Sequence, residues 1–76
     1  MLVICTFVAG DGTGGTELKI GSTTTEDKCA TLVRNRQPSA NGATWGDGDC
    51  YAEFGATGNT GSGSSWRTCL FPGQLL

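Results

Sequence analysis

Histidine is absent from the 76 residues. That removes the commonest acid–base side chain near neutral pH and the commonest imidazole metal ligand. No two cysteines form a C-x-x-C pair, so the close ligand spacing of a structural zinc site is missing too. No apolar run approaches the roughly 20 residues that a membrane-spanning helix needs, so no membrane insertion is expected. The opening Met1-Leu-Val-Ile-Cys5 has neither a charged stretch nor a small-residue cleavage site and does not read as a signal peptide. There is no N-x-S/T glycosylation acceptor. Charge is sparse: five basic and seven acidic residues give a formal net charge of −2, with no basic stripe for nucleic acid. The serines lie in Gly/Ser stretches without a neighbouring base, and so short a chain leaves little room for a cleft between catalytic carboxylates. The expectation is a protein that is not an enzyme.

Glycine and cysteine are what the chain has instead. Thirteen glycines raise the entropic cost of folding. A single domain over residues 1–76 also buries only about 60% of the surface of its unfolded chain, so a core of this size needs staples. Cys5, Cys29, Cys50 and Cys69 are even in number and widely spaced, the pattern of a disulfide framework in an oxidising, extracellular compartment. A secreted chain without a leader reads as a mature fragment with Met1 added, one module of a longer multidomain protein.

Residues 2–8 are β-branched and aromatic and are expected to form a strand. Gly10–Gly15 reads as a turn; it superficially resembles a phosphate-binding loop but lacks the Lys-Ser/Thr that would hold phosphate and metal. Thr16–Ile20 alternates, placing Leu18 and Ile20 on one face. A helix is expected over 25–36. Thr23 or Thr24 is its N-cap, Glu26 and Asp27 complement the dipole, and Cys29, Leu32 and Val33 form its apolar stripe, while Lys28, Arg34 and Arg36 face water. Pro38 ends it. Strands at 42–45 and 50–54 flank the turn signal Gly46-Asp-Gly-Asp49, giving a hairpin. Gly55–Ser65 reads as a mobile loop, and Trp66–Phe71 as the last strand. The fold class is therefore α+β: one helix packed on a small, mostly antiparallel sheet, stapled by two disulfides. Of the three possible pairings, Cys5–Cys69 is favoured because it ties the first strand to the last. Cys29–Cys50 then pins the inner face of the helix to the central strand.

The segments Ser22-Thr-Thr-Thr-Glu-Asp-Lys-Cys29-Ala-Thr-Leu-Val33, Asn41-Gly-Ala-Thr-Trp45 and Cys50-Tyr51 resemble the helix start, aromatic strand and cysteine-bearing strand of the PAN/apple superfamily. Members often carry a second helix cysteine four residues after the first. Here that position is Val33, and its usual partner before the aromatic strand is also missing. The chain thus looks like a reduced, two-disulfide variant. The resemblance implies an extracellular module that binds carbohydrate or protein.

Candidate contact residues cluster around the hairpin. Trp45, Tyr51 and Trp66 carry aromatic faces that stack on sugars or anchor interfaces, and Trp45 is the tryptophan expected to be more exposed. With Cys50 inward, alternation points Tyr51 and Glu53 outward. Asp47, Asp49 and Glu53 can accept hydrogen bonds from sugar hydroxyls, and Arg67 can cap an aromatic face. The same three acids are a weak candidate for calcium, though Asp-Gly is also ordinary turn chemistry, and no cofactor is required. The leading expectation is an extracellular, lectin-like carbohydrate-binding module with ligand contacts at Trp45, Asp47, Asp49, Tyr51, Glu53 and Arg67. The alternative is a protein-interaction or matrix-adhesion module, with protease inhibition through Lys28, Arg34 or Arg67 a lesser version of it.

Overall fold

The computed structural model describes residues 5–61 and 65–72. In chain order the elements are β1 (Val8–Ala9), β2 (Gly12–Thr13), β3 (Thr16–Ser22), α1 (Glu26–Arg36), β4 (Gly42–Gly46), β5 (Asp49–Phe54), β6 (Gly58–Asn59) and β7 (Arg67–Leu70). Five strands form an antiparallel sheet in the order β1-β7-β4-β5-β3, and β2 pairs with β6 as a separate two-stranded ribbon. One helix lies against β4 and β5, so the α+β architecture is as expected.

The hairpin of β4 and β5 is the centre of the sheet. Its turn places Asp47 at φ 53° and Gly48 at φ 90°, the left-handed pair that a two-residue turn matched to strand twist requires. Asp-Gly is among the few dipeptides that adopt it cheaply. Alternation along β5 then sends Cys50 and Ala52 toward the helix and Tyr51 and Glu53 to the opposite face.

The cap of helix α1 lies one residue beyond Thr24 and two beyond Thr23, the expected caps. Thr25 is the N-cap, its hydroxyl accepting from the Lys28 N–H at 3.2 Å. Thr23 is committed elsewhere. Its N–H donates to the Gly48 carbonyl at 2.9 Å, its carbonyl accepts from the Trp45 indole at 3.1 Å, and its hydroxyl donates to the Thr25 carbonyl at 2.8 Å. These bonds fasten the start of the helix to the hairpin turn. Glu26 and Asp27 occupy the first helical turn and Arg34 and Arg36 the last, complementing the dipole at both ends.

The core between helix and sheet is built from small side chains: Ala30, Ala40, Ala43, Ala52 and all four cysteines, with Val33, Phe7 and Phe71 as the larger fillers. Both disulfides have the expected pairing. Cys29–Cys50, with Cα atoms 5.4 Å apart, pins the buried face of α1 to β5. Cys5–Cys69, with Cα atoms 5.6 Å apart, ties the segment before β1 to β7.

Several boundaries differ from the expectation. Residues 2–4 of the expected first strand lie outside the described residues. Cys5–Phe7 forms no ladder and β1 begins at Val8, although Cys5 and Phe7 are buried. The Gly10–Gly15 turn and part of the Gly55–Ser65 loop become β2 and β6, because each supplies the other's missing hydrogen-bond partners. Asn41 anchors that second segment: its side-chain amide donates to the Ala56 carbonyl at 2.8 Å and accepts from the Ala56 N–H at 3.0 Å, mimicking a strand pair. Residues 62–64 lie outside the described residues. A bulge between Lys19 and Gly21 shifts the register of β3. Leu18 stands opposite the core residue Ala52 but is 48% exposed, while Ile20 packs on the core. Arg34 is exposed as expected but lays its guanidinium 5.5 Å from the centre of the Phe71 ring.

Closing loops of 21 and 64 residues restricts the unfolded chain, by roughly 3 and 4 kcal/mol respectively in the chain-entropy account. The double substitution Cys29→Ala/Cys50→Ala is expected to lower stability by at least about 3 kcal/mol, since it also leaves a void against β5. Guanidinium denaturation of the oxidised wild type and variant, compared at equal slope, measures it.

Candidate functional site

The six expected contact residues divide between three places. Trp45 and Arg67 lie on the helix side of the sheet. The Trp45 indole donates to Thr23, and Arg67 holds Glu26 at 2.6 Å while also donating to the Phe7 carbonyl at 3.3 Å. Asp47 is exposed at the hairpin turn, and Asp49 beside it pairs with Lys19 at 3.3 Å. Tyr51 and Glu53 lie on the opposite face. The structure therefore does not bring the six together.

What it assembles is a different group around Tyr51 and Glu53. Trp66 lies over Gly46, where a Cβ would run into the indole ring, so only glycine leaves room for it. The Trp66 and Tyr51 rings then meet edge to face, with centroids 5.5 Å apart at 82°. Together with Asp11, Glu17 and Thr44 they line a small recess of about 70 Å³. Trp66, rather than Trp45, is the tryptophan at this recess, and both are partly buried.

Glu53 does not line the recess but lies next to Asp11 and Glu17, which do. Alternation points it away from the helix, as expected, yet it is only 2% exposed, because the β2–β6 ribbon folds over it. Gly12 of β2 lies directly on the carboxyl group; a Cβ at that position would be 2.7 Å from the Glu53 carboxyl carbon. Glu17 stands opposite Glu53 in the β3–β5 ladder, a like-charge pair. Carboxylate oxygens of Asp11, Glu17 and Glu53 all lie within 4.8 Å of one another. These are the oxygens that could hold a hard cation, or share a proton. Asp47 and Asp49, the partners first considered for Glu53 in calcium binding, are not in this group.

The hydrogen bonds decide how Glu53 is held. Glu53 Oε2 lies 2.7 Å from Thr44 Oγ1, Thr44 Oγ1 lies 2.8 Å from Thr68 Oγ1, and Thr68 Oγ1 lies 2.8 Å from the Gly10 carbonyl oxygen. Thr68 donates to the Gly10 carbonyl and Thr44 donates to the Glu53 carboxyl group. Desolvation by burial raises the Glu53 pKa from 4.5 to about 7; the hydrogen bond from Thr44 works against the rise, and a hydrogen bond with Glu17 and the charges of Glu17 and Asp11 add to it.

No protein-family model, curated protein or solved structure matches this chain.

A raised folded-state pKa means that the folded protein holds a proton the unfolded chain gives up between pH 4.5 and about 7. The Glu53 contribution to stability is therefore fully present below pH 4.5 and is lost as pH rises through about 7. By linkage the loss is at most on the order of 3 kcal/mol. Denaturation midpoints of wild type measured against Glu53→Gln are expected to diverge with rising pH, the wild type falling and the variant, whose amide oxygen still accepts from Thr44, holding level.

Proposed function

We propose that this chain is a non-catalytic, extracellular carbohydrate-binding module of reduced PAN/apple type, and that the sugar is held at the recess between Tyr51 and Trp66. The observation that carries this reading is the pairing of two partly exposed aromatic rings with the acidic wall of Asp11 and Glu17 and the hydroxyl of Thr44. Aromatic faces take the apolar C–H side of a pyranose, and carboxylate oxygens accept from its hydroxyls. A recess of about 70 Å³ admits the edge of one sugar ring and no more. Binding at a single site is accordingly weak, and useful avidity comes from several linked copies in a longer chain. Two disulfides and the lack, among the described residues, of any helix long and apolar enough to cross a membrane fit a secreted module. The site binds with its own side chains and takes no cofactor.

A protein-interaction or adhesion module is the second reading. It is favoured by a separate groove of about 480 Å³ lined by Cys5, Thr6, Val8, Asn59, Thr68, Leu70 and Pro72. Val8 and Leu70 there are 46% and 38% exposed, apolar area that a folded chain normally covers.

A glycan array probed with the oxidised protein, with and without EDTA, separates the readings. Specific binding that survives EDTA is expected. Tyr51→Ala and Glu17→Gln should each weaken it about tenfold, which is about 1.4 kcal/mol, while Trp45→Ala and Asp49→Ala leave it unchanged. Loss in EDTA would instead assign a cation to the Asp11, Glu17 and Glu53 oxygens. A blank array from protein of verified disulfide mass would move the function to a protein partner.

A further inference from the structure

β3 is the outer strand of the five-stranded sheet, and among the described residues no strand pairs with its far side. Thr16, Glu17, Leu18 and Lys19 are all exposed, although each sits in the ladder with β5. The direction of their backbone groups follows from the next strand inward. The Glu53 carbonyl accepts from the Asn41 N–H at 2.8 Å on the β4 side. Backbone direction alternates along a strand, so the N–H and C=O groups of Ala52 and Phe54 turn to β3, where Leu18 and Thr16 are their register partners. The N–H and C=O groups of Glu17 and Lys19 are thereby left pointing outward from the sheet edge. Leu18 lies on the helix side, opposite Ala52, and is 48% exposed. Glu17 and Lys19 lie on the recess side, opposite Glu53 and Tyr51.

We propose that β3 is a dimerisation edge, which pairs antiparallel with β3 of a second copy of this chain about a two-fold axis at Leu18. The run Thr16-Glu-Leu-Lys-Ile20 complements itself in that register. Leu18 meets the partner's Leu18, Glu17 meets the partner's Lys19, and Thr16 meets the partner's Ile20. Opposite charges and apolar pairs set directly across two strands are favourable, and like charges are not. Moving the axis by one residue would set Glu17 against Glu17 or Lys19 against Lys19, so charge selects the register. The outward backbone groups of Glu17 bond those of the partner's Lys19, which places each ion pair on a hydrogen-bonded pair of the ladder. An edge lysine ordinarily guards a strand against such pairing. Here every Lys19 faces a glutamate and the guard is cancelled. The Lys19 side chain is 53% exposed, and its contact with Asp49 at 3.3 Å is a surface ion pair that exchanges at little cost. The bulge between Lys19 and Gly21 confines the pairing to residues 16–20. The opposite edge of the sheet, β1, is only 2 residues long, so association closes at the dimer and does not grow into a filament. The axis stands perpendicular to the sheet and leaves both recesses on one face. Glu17 lines the recess, so the two sites flank the junction and offer a bivalent surface. The dimer stands whatever ligand the recess takes.

Sedimentation velocity and NMR of the oxidised, isotopically labelled chain test it between about 20 µM and about 1 mM, since so short an interface gives a Kd on the order of 100 µM. The dimer should form reversibly. The Glu17 and Lys19 amides should gain protection from hydrogen exchange in step with the dimer fraction, while the Leu18 amide, already bonded to β5, keeps its own. Glu17→Lys and Lys19→Glu each set like charges across the junction and should weaken self-association about tenfold. An equimolar mixture of the two variants restores both opposite-charge pairs and should associate as the wild type does. Mixing would not mend a folding defect in either variant. The proposal is overturned if the chain stays monomeric at the highest concentration, if a dimer forms with the Glu17 and Lys19 amides unprotected, or if the mixture associates no better than each variant alone.

Discussion

The Cys29–Cys50 bond is the constraint on which the rest of the structure depends. Helix and sheet meet through Ala30, Ala43 and Ala52, side chains that bury little apolar surface each, with Val33 as the one large aliphatic fully buried among the described residues. Burial at about 25 cal/mol per Å² gives such an interface a small return against the entropy of ordering a glycine-rich chain. The cystine fills the centre of the interface with sulfur, and by closing a loop it removes conformations from the unfolded chain. The second bridge, from Cys5 to Cys69, does the same for the segment before β1 and the strand it flanks. In this protein covalent linkage substitutes for a core of leucine and isoleucine.

A thin core on one side has a consequence on the other. The far face of the sheet carries Thr44, Thr68, Glu53, Tyr51 and Glu17, none of them a side chain that would drive burial, and yet Thr44, Thr68 and Glu53 are all but inaccessible. Their burial is made tolerable by hydrogen bonding, since a polar group out of water costs little once its partners are met. Among the described residues no basic group offsets the Glu53 charge, and burial favours its neutral form. Thr44 donates to it. Gly12 makes this possible sterically, because any side chain there would collide with the carboxyl group.

The helix face was legible in the sequence and the opposite face was not. The cysteine positions, the Cys29-x-x-x-Val33 stripe, the Asp47-Gly48 turn and the alternation of β5 each report on local geometry, and together they lead to the α+β fold and to both disulfide pairings. The cap went to Thr25 rather than its neighbours because Thr23 is taken by the hairpin turn, a contact across 25 residues of chain that no local pattern reveals. The β2–β6 ribbon was invisible for the same reason: Gly12-Thr13 and Gly58-Asn59 carry no strand propensity, and only mutual pairing makes them strands. With the ribbon hidden, Glu53 read as an outward residue, and Asp11, Glu17, Thr44 and Thr68 gave no sign of belonging with it. Trp45 was grouped with Tyr51 by closeness in the chain and Arg67 as a cap for an exposed aromatic face, although alternation along β4 and β7 carries both to the helix side.

The two faces of the sheet are therefore held by different physics, and this bears on where a ligand can act. The helix face is fastened by covalent bonds and tight packing, which are indifferent to moderate changes of pH. The other face is fastened by hydrogen bonds through Thr44, Thr68 and Asn41 around a buried acid, and the aromatic recess sits at its margin. A ligand that bridges Tyr51, Trp66 and Asp11 would bear on the ribbon as well as on the sheet, so its binding free energy would include the work of holding the ribbon in place. Burial of Glu53 beneath Gly12 and the strength of such a contact would then be linked, because both depend on how closely the ribbon lies against the sheet.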